Sequence, residues 1–133
     1  MKYIAHKRFK GKAYCGYVNI PATTVLESTD GVIFCEGRPI CFETSENAHQ
    51  FFARDDDGNG MQRGRLTQAI QKRLAKRDKR HQERWDKVWD DPICQSYKRV
   101  EFDDYWLWNH NFFGAPIEDL QHIANLIGAK EET

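Results

Sequence analysis

At Ser45 the chain changes its hydrophobic rhythm, and that change constrains the fold more than any other feature. Before it, short runs rich in β-branched and aromatic residues alternate with turn signals: Tyr3-Ile4-Ala5, Ala13 to Ile20, Thr23 to Glu27, Val32 to Cys35 and Pro39 to Phe42. Such runs read as strands of a small antiparallel sheet. Lys10-Gly11-Lys12, Ser28-Thr29-Asp30-Gly31 and Glu36-Gly37-Arg38 read as its turns. Asp30-Gly31 is the strongest, because glycine reaches the positive φ of a tight hairpin without strain. Pro21 ends a strand, having no N–H to give to a ladder.

After Ser45 the spacing turns helical. Ser45 suits an N-cap, Glu46 suits the first turn, and Ala48, Phe51 and Phe52 follow on one face. Asp55-Asp56-Asp57-Gly58-Asn59-Gly60 breaks the run. From Arg63, Leu66, Ala69, Ile70 and Leu74 form a stripe, and Trp85, Val88 and Trp89 continue it roughly in phase. Residues 63–91 therefore read as one long basic helix, or as two with a hinge near Arg77 to Lys79, stopping before Pro92. An aromatic stretch covers 93–113. A final helix begins near Pro116, buries Ile117, Leu120, Ile123, Ala124 and Ile127, and closes at Gly128. The expected fold class is α+β: one domain over 1–133, with 1–44 mostly β and 45–133 mostly α.

A chain of 133 residues can bury roughly two thirds of its unfolded surface without staples. Its four cysteines, Cys15, Cys35, Cys41 and Cys94, share no ligand spacing. Cys15, Cys35 and Cys41 fall in apolar, strand-like runs, where a free thiol acts as a small core residue. With no signal-like N-terminus and no long apolar run, the expectation is a reduced, cytoplasmic protein outside any membrane. Twenty basic residues balance twenty acidic ones, but unevenly. Residues 1–26 hold five lysines and arginines and no carboxylate, and between Arg63 and Arg84 nine cations face two acids, 9 − 2 = +7. Local positive patches on a neutral chain suit a confined anionic ligand better than indiscriminate nucleic-acid binding.

The acidic loop most resembles a motif. Asp55, Asp57 and Asn59 stand at the first, third and fifth positions of an EF-hand loop and Gly60 at the sixth. Leu66 then occupies the place of the bidentate glutamate, and Arg63 puts a cation at the ninth position. The loop reads as an interhelical turn, and replacing Asp57 by Ala is expected to change stability little. His6, His49, His81, His110 and His122 lack ligand spacing, so no metal and no cofactor is expected. Nor is there a nucleophile elbow, a zinc-protease motif or a phosphate loop, and no catalytic residue is assigned.

Two segments carry the chemistry of a binding site. Arg73 and Arg77, Lys76 and Arg80, and Arg80 and Arg84 stand four apart, so on a continuous helix their charged ends stack on one side. Arginines so placed can fork around a phosphate, although such runs are as often a solvated face. In the block from Tyr105 to Phe113, Trp106 and Trp108 offer faces on which a base can stack, and Asn109 can read a base edge. The bland alternative for these rings is core under the last helix, and the remainder suits an oligomer interface.

The segments from Lys2 to Lys12 and Gly16 to Pro21, with Ser45 to His49, Gly64 to Ile70, Trp85 to Pro92 and Asp104 to Asn109, resemble small phage and prophage proteins of Gram-positive bacteria. One phage class of this size is the Thoeris anti-defence family, oligomeric sponges that sequester cyclic ADP-ribose signals without cleaving them; none of its binding residues is carried over to positions here. The resemblance implies a non-enzymatic, homo-oligomeric binder of a cyclic or phosphorylated adenine nucleotide. The alternative is an accessory protein that binds nucleic acid or a host protein such as a CRISPR effector.

Overall fold

Two Asp/Glu-Gly pairs fold the centre of the β half. Asp30 and Gly31 take φ of 52° and 80°, and Glu36 and Gly37 take 52° and 77°. Positive φ at both central residues makes type I′ turns, whose twist matches that of the strands they join. They link β4 (Val25–Thr29), β5 (Val32–Cys35) and β6 (Arg38–Phe42) into a meander paired Thr29↔Val32 and Cys35↔Arg38. The computed structural model describes residues 1–96 and 115–130. The chain forms two compact units, Met1–Gly64 and Arg65–Thr133.

In the first unit, β1 (Lys2–Ala5) joins the meander through β4 and also pairs with β7 (Phe52–Arg54). The result is an antiparallel five-stranded sheet in the order β6-β5-β4-β1-β7. Tyr3, Ala5, Leu26, Ile33, Phe52 and Ala53 are buried on it. A separate ribbon pairs β2 (Phe9–Ala13) with β3 (Gly16–Ile20). Its inner residues Phe9 and Ile20 are buried, and the Phe9 ring meets Phe51 and Phe52 edge-on at 5.0 and 5.9 Å. The ribbon tip reaches β6, where the Tyr14 and Cys15 N–H groups donate to the carbonyls of Ile40 and Pro39 at 3.1 and 3.2 Å.

Three local expectations change. Lys10-Gly11-Lys12 is no turn: Gly11 pairs with Val18 inside the ribbon, and the chain reverses at Tyr14-Cys15, before Gly16 at φ 115°. Cys15 is consequently exposed rather than core, while Cys41 and Cys94 are buried. Phe52 leaves the helix, because α1 (Glu46–Phe51) is short and Phe52 opens β7 opposite Ala5. Ser45 does cap α1, its hydroxyl accepting from the Ala48 N–H at 3.3 Å.

The acidic loop is not interhelical as expected: it leads from strand β7 into α2 (Gly60–Ala75), because Phe52–Arg54 pairs with β1. Buried Asp55 accepts from the Gly60 N–H at 2.7 Å, satisfying an orphan donor of the first turn. Gly60 is required by closeness: a Cβ there would stand 2.5 Å from Ile4 Cγ2. Asp57 is engaged by the buried Arg63, whose Nη1 and Nη2 lie 3.1 and 2.8 Å from its two oxygens. The Arg63 Nη1 also donates to the Arg54 carbonyl at 2.7 Å. The ninth position of the EF-hand-like loop thus carries the cation that its carboxylate holds.

In the second unit Leu66, Ile70 and Leu74 of α2 pack with α3 (His81–Asp90), the short α4 (Pro92–Gln95) and α5 (Ile117–Ile127). Trp85 and Val88, Cys94, and Leu120, Ile123, Ala124 and Ile127 complete this core. Gly128 ends α5 in the left-handed conformation at φ 69°. Residues 63–91 are thus two helices, broken over 76–80. No helix among the described residues is long and apolar enough to cross a membrane.

Candidate functional site

The break between α2 and α3 gathers the cations singled out from the sequence, and two residues of α3 hold its shape. Trp85 Nε1 donates to the Leu74 carbonyl at 3.2 Å, satisfying a last-turn acceptor of α2, and lies 3.2 Å from His81 Nε2. The preceding residue, Arg84, only 3 % exposed, donates from Nη2 to the Lys76 carbonyl at 2.5 Å. Its Nη1 stands 2.9 Å from Asp78 Oδ1 without the alignment of a hydrogen bond, so that contact is Coulombic. Asp78 Oδ1 also accepts from the Arg80 N–H at 3.0 Å, a side-chain-to-backbone turn that sets the start of α3. Desolvation pushes the Asp78 carboxyl up, but Arg84, the Arg80 N–H and Lys76 outweigh it and hold the group below its ordinary range.

A five-residue connector, 76–80, is therefore fixed from beneath while its side chains face outward. Lys76, Arg77, Lys79 and Arg80 are all exposed. Asp78 is the one acid among them, and its oxygens already face Arg84, the Arg80 N–H and, at 3.9 Å, Lys76 Nζ. A connector whose backbone is already tied at Lys76 and Arg80 needs less ordering when an anion arrives, which is the gain of pre-organisation.

The sequence-predicted residues separate into three groups. Arg77 and Arg80 lie on this connector. Arg73 is half-buried on α2, and its Nε donates to the Ile127 carbonyl at 3.2 Å, near the end of α5. Arg84 is buried beneath the connector, with its fork turned to Lys76 and Asp78, so it builds the loop instead of presenting charge to solvent. The helical break removes the stacking expected of Arg73 with Arg77 and of Lys76 with Arg80, since that spacing aligns side chains only on a continuous helix. The carbonyl of Arg80, the N-cap of α3, still accepts from the Arg84 N–H at 3.0 Å, and that pair is parted by the burial of the Arg84 side chain. Trp106, Trp108 and Asn109 lie outside the described residues. Sequence spacing missed the role of Asp78. Its signal was an Asp two residues before the N-cap of a helix, inside a run of cations.

On the same unit, an open groove of about 490 Å³ is lined by Glu83, Asp86, Lys87, Asp90, Asp91 and Leu126. Its carboxylates disfavour an anion there. At its edge Asp91 Oδ2 accepts from the Cys94 N–H at 3.0 Å, and Oδ1 lies 2.8 Å from His122 Nε2. Desolvation raises the Asp91 carboxyl, but His122 and the Cys94 N–H prevail and keep it low. Burial, and then the neighbouring Asp91, push the Cys94 thiol up to about 12. A thiol so held stays protonated and is a poor nucleophile. Among the described residues no three His, Cys, Asp or Glu side chains converge as a metal site.

The chain matches no protein-family model, no curated protein and no solved structure.

Proposed function

We propose that the protein is a non-enzymatic binder of a phosphate-bearing nucleotide, held by the connector between α2 and α3. The observation that carries this is the buried Arg84 and its partner Asp78, which fix a loop whose outward side chains are Lys76, Arg77, Lys79 and Arg80. A buried arginine is costly to desolvate. Here it organises a connector whose four exposed cations outnumber its one acid, Asp78, an excess that favours an anionic ligand. Within the phage reading, a sponge of the Thoeris anti-defence type takes a cyclic or phosphorylated adenine nucleotide, and on that model the ligand is sequestered by a homo-oligomer in a host cytoplasm.

The test is a thermal shift and tryptophan fluorescence titration with cyclic ADP-ribose and ADP, followed by recovery of the ligand after heat denaturation. Ligand that binds the native state alone raises the melting temperature by mass action. The expected result is a rise for the wild-type protein and a ligand recovered intact. Arg80→Ala should weaken binding by about 1.5 kcal/mol, the lower end for a charge-assisted hydrogen bond, or roughly tenfold in Kd. A hydrolysed product would make the protein an enzyme. If neither nucleotide shifts the curve while a DNA duplex binds with a steep salt dependence that Lys79→Glu abolishes, the connector serves a polymer instead.

A further inference from the structure

The β2–β3 ribbon of the first unit presents a positive surface of its own, built differently from the connector. Alternation along its strands turns Phe9 and Ile20 inward and Lys10, Lys12, Tyr17 and Asn19 outward. The register places Lys10 opposite Asn19 and Lys12 opposite Tyr17. Residues directly opposite share a face, so these four side chains form one patch. Arg8 joins it, its Nη1 donating to Asn19 Oδ1 at 2.8 Å. Tyr14 stands at the ribbon tip, edge-on to Phe42 with centroids 5.3 Å apart.

Two features of this patch set it apart from the rest of the unit's surface. Tyr17 is 76 % exposed and Tyr14 63 %, although burial is what rewards a large ring. The patch is also strongly one-signed, because no carboxylate occurs before Glu27. Among the described residues no ion pair engages Lys10 or Lys12, while Asp55, Asp56 and Asp57 of the same unit face Lys2, Arg54 and Arg63. Cations on alternate residues of a strand repeat every 7 Å or so, comparable to successive phosphates along an extended single strand. An exposed tyrosine directly across from one of them supplies a π-face for an unpaired base.

From this juxtaposition we propose that the outer face of the β2–β3 ribbon binds single-stranded nucleic acid, with Arg8, Lys10 and Lys12 along the backbone and Tyr17 stacked on a base. The occupant is a single strand because stacking needs an unpaired base, and a duplex offers Tyr17 none away from its ends. DNA and RNA share the chemistry. The ribbon, rigidly paired through five register positions, needs little reordering to receive either.

The experiment is fluorescence anisotropy of labelled oligothymidine and oligouridine of about 12 nucleotides, a length typical of single-strand sites, across a salt series. Wild-type protein should bind with a log–log salt slope near −2, as expected for about three phosphates neutralised on a single strand. Tyr17→Ala should weaken binding at least about fivefold without altering the slope, since stacking is largely uncharged. Lys12→Glu should weaken it further and flatten the slope. Both side chains are exposed, and circular dichroism should confirm an unchanged fold. Preference for one oligomer would assign the source as DNA or RNA. Absence of binding, or binding indifferent to Tyr17→Ala and Lys12→Glu, would overturn the proposal, as would a duplex that binds as tightly as either oligomer. Nucleotide binding at the connector and strand binding at the ribbon are read with different probes and different variants, so each can fail alone.

Discussion

Replacing Asp57 by Ala tests how the acidic loop works. The fork of Arg63, whose side chain is 7 % exposed, lies on both Asp57 oxygens, whereas the Asp57 side chain is 49 % exposed. Removing one partner of a buried ion pair costs about 3–5 kcal/mol, while a solvent-exposed pair is worth about 1 or less. This pair is buried on one side and wet on the other, so the expected loss is intermediate, about 2 kcal/mol. That corresponds to a fall of roughly 8 °C in melting temperature for a chain of this size. Urea unfolding at neutral pH measures it. Arg63→Met offers a control: in its background Asp57→Ala should cost at least about 1 kcal/mol less, because no buried guanidinium is left behind. The dependence on acid has a definite sign. The Arg63 fork, then the Asn59 N–H, hold the Asp57 carboxyl well below its ordinary range. A depressed native value stabilises the fold above the unfolded value near 4 and loses that contribution as pH falls below it. The gap between wild type and Asp57→Ala should therefore close in acid. An unchanged urea midpoint for Asp57→Ala at neutral pH would refute the clamp and restore the passive turn expected from sequence.

Two further outcomes follow from packing and from thiol chemistry. Gly64→Ala should gain up to about 1 kcal/mol of helix propensity, yet its Cβ would stand 2.2 Å from His6 Cγ and 2.6 Å from His6 Cβ. Atoms so near the backbone cannot swing aside, and overpacking of about 1–3 kcal/mol should win, so a raised melting temperature would contradict the contact. Iodoacetamide should label Cys15 on the native protein and leave Cys41 and Cys94 untouched until unfolding, since both are buried with raised thiol values. Peptide mapping that found Cys94 modified as fast as Cys15 would refute its burial.

Elements with strong local chemistry were legible in the sequence. Asp30-Gly31 names its turn, Ser45 its cap, and Leu66, Ile70 and Leu74 a buried stripe, because in each case neighbouring residues alone decide the outcome. What escaped depended on partners distant in sequence. Phe52 continues the spacing of α1, but pairing with Ala5 makes it a strand, and β7 (Phe52–Arg54) is too short to show alternation. Gly11 looked like a turn because a strand gives it no signal of its own; only Val18 opposite reveals its place. At the candidate site, the basic residues were visible and their division of labour was not. Arg84 and Arg80 are the same residue type four apart, yet one is buried against Lys76 and Asp78 while the other faces water. Which side of α3 is buried depends on Trp85 reaching back across the break to the Leu74 carbonyl, a hydrogen bond that hydrophobic spacing does not signal.

The ribbon tip also determines what the five-stranded sheet can meet along one edge. An open strand edge is a template on which another chain can add by backbone pairing. On β6 the carbonyls of Pro39 and Ile40 already accept from Cys15 and Tyr14, and Pro39 has no N–H to offer. A newcomer strand would find those places taken and would have to peel the hairpin away first. Crowded or slowly folding copies of this chain are thereby protected from zipping together along β6, and the hairpin that exposes Tyr17 also closes the sheet beside it.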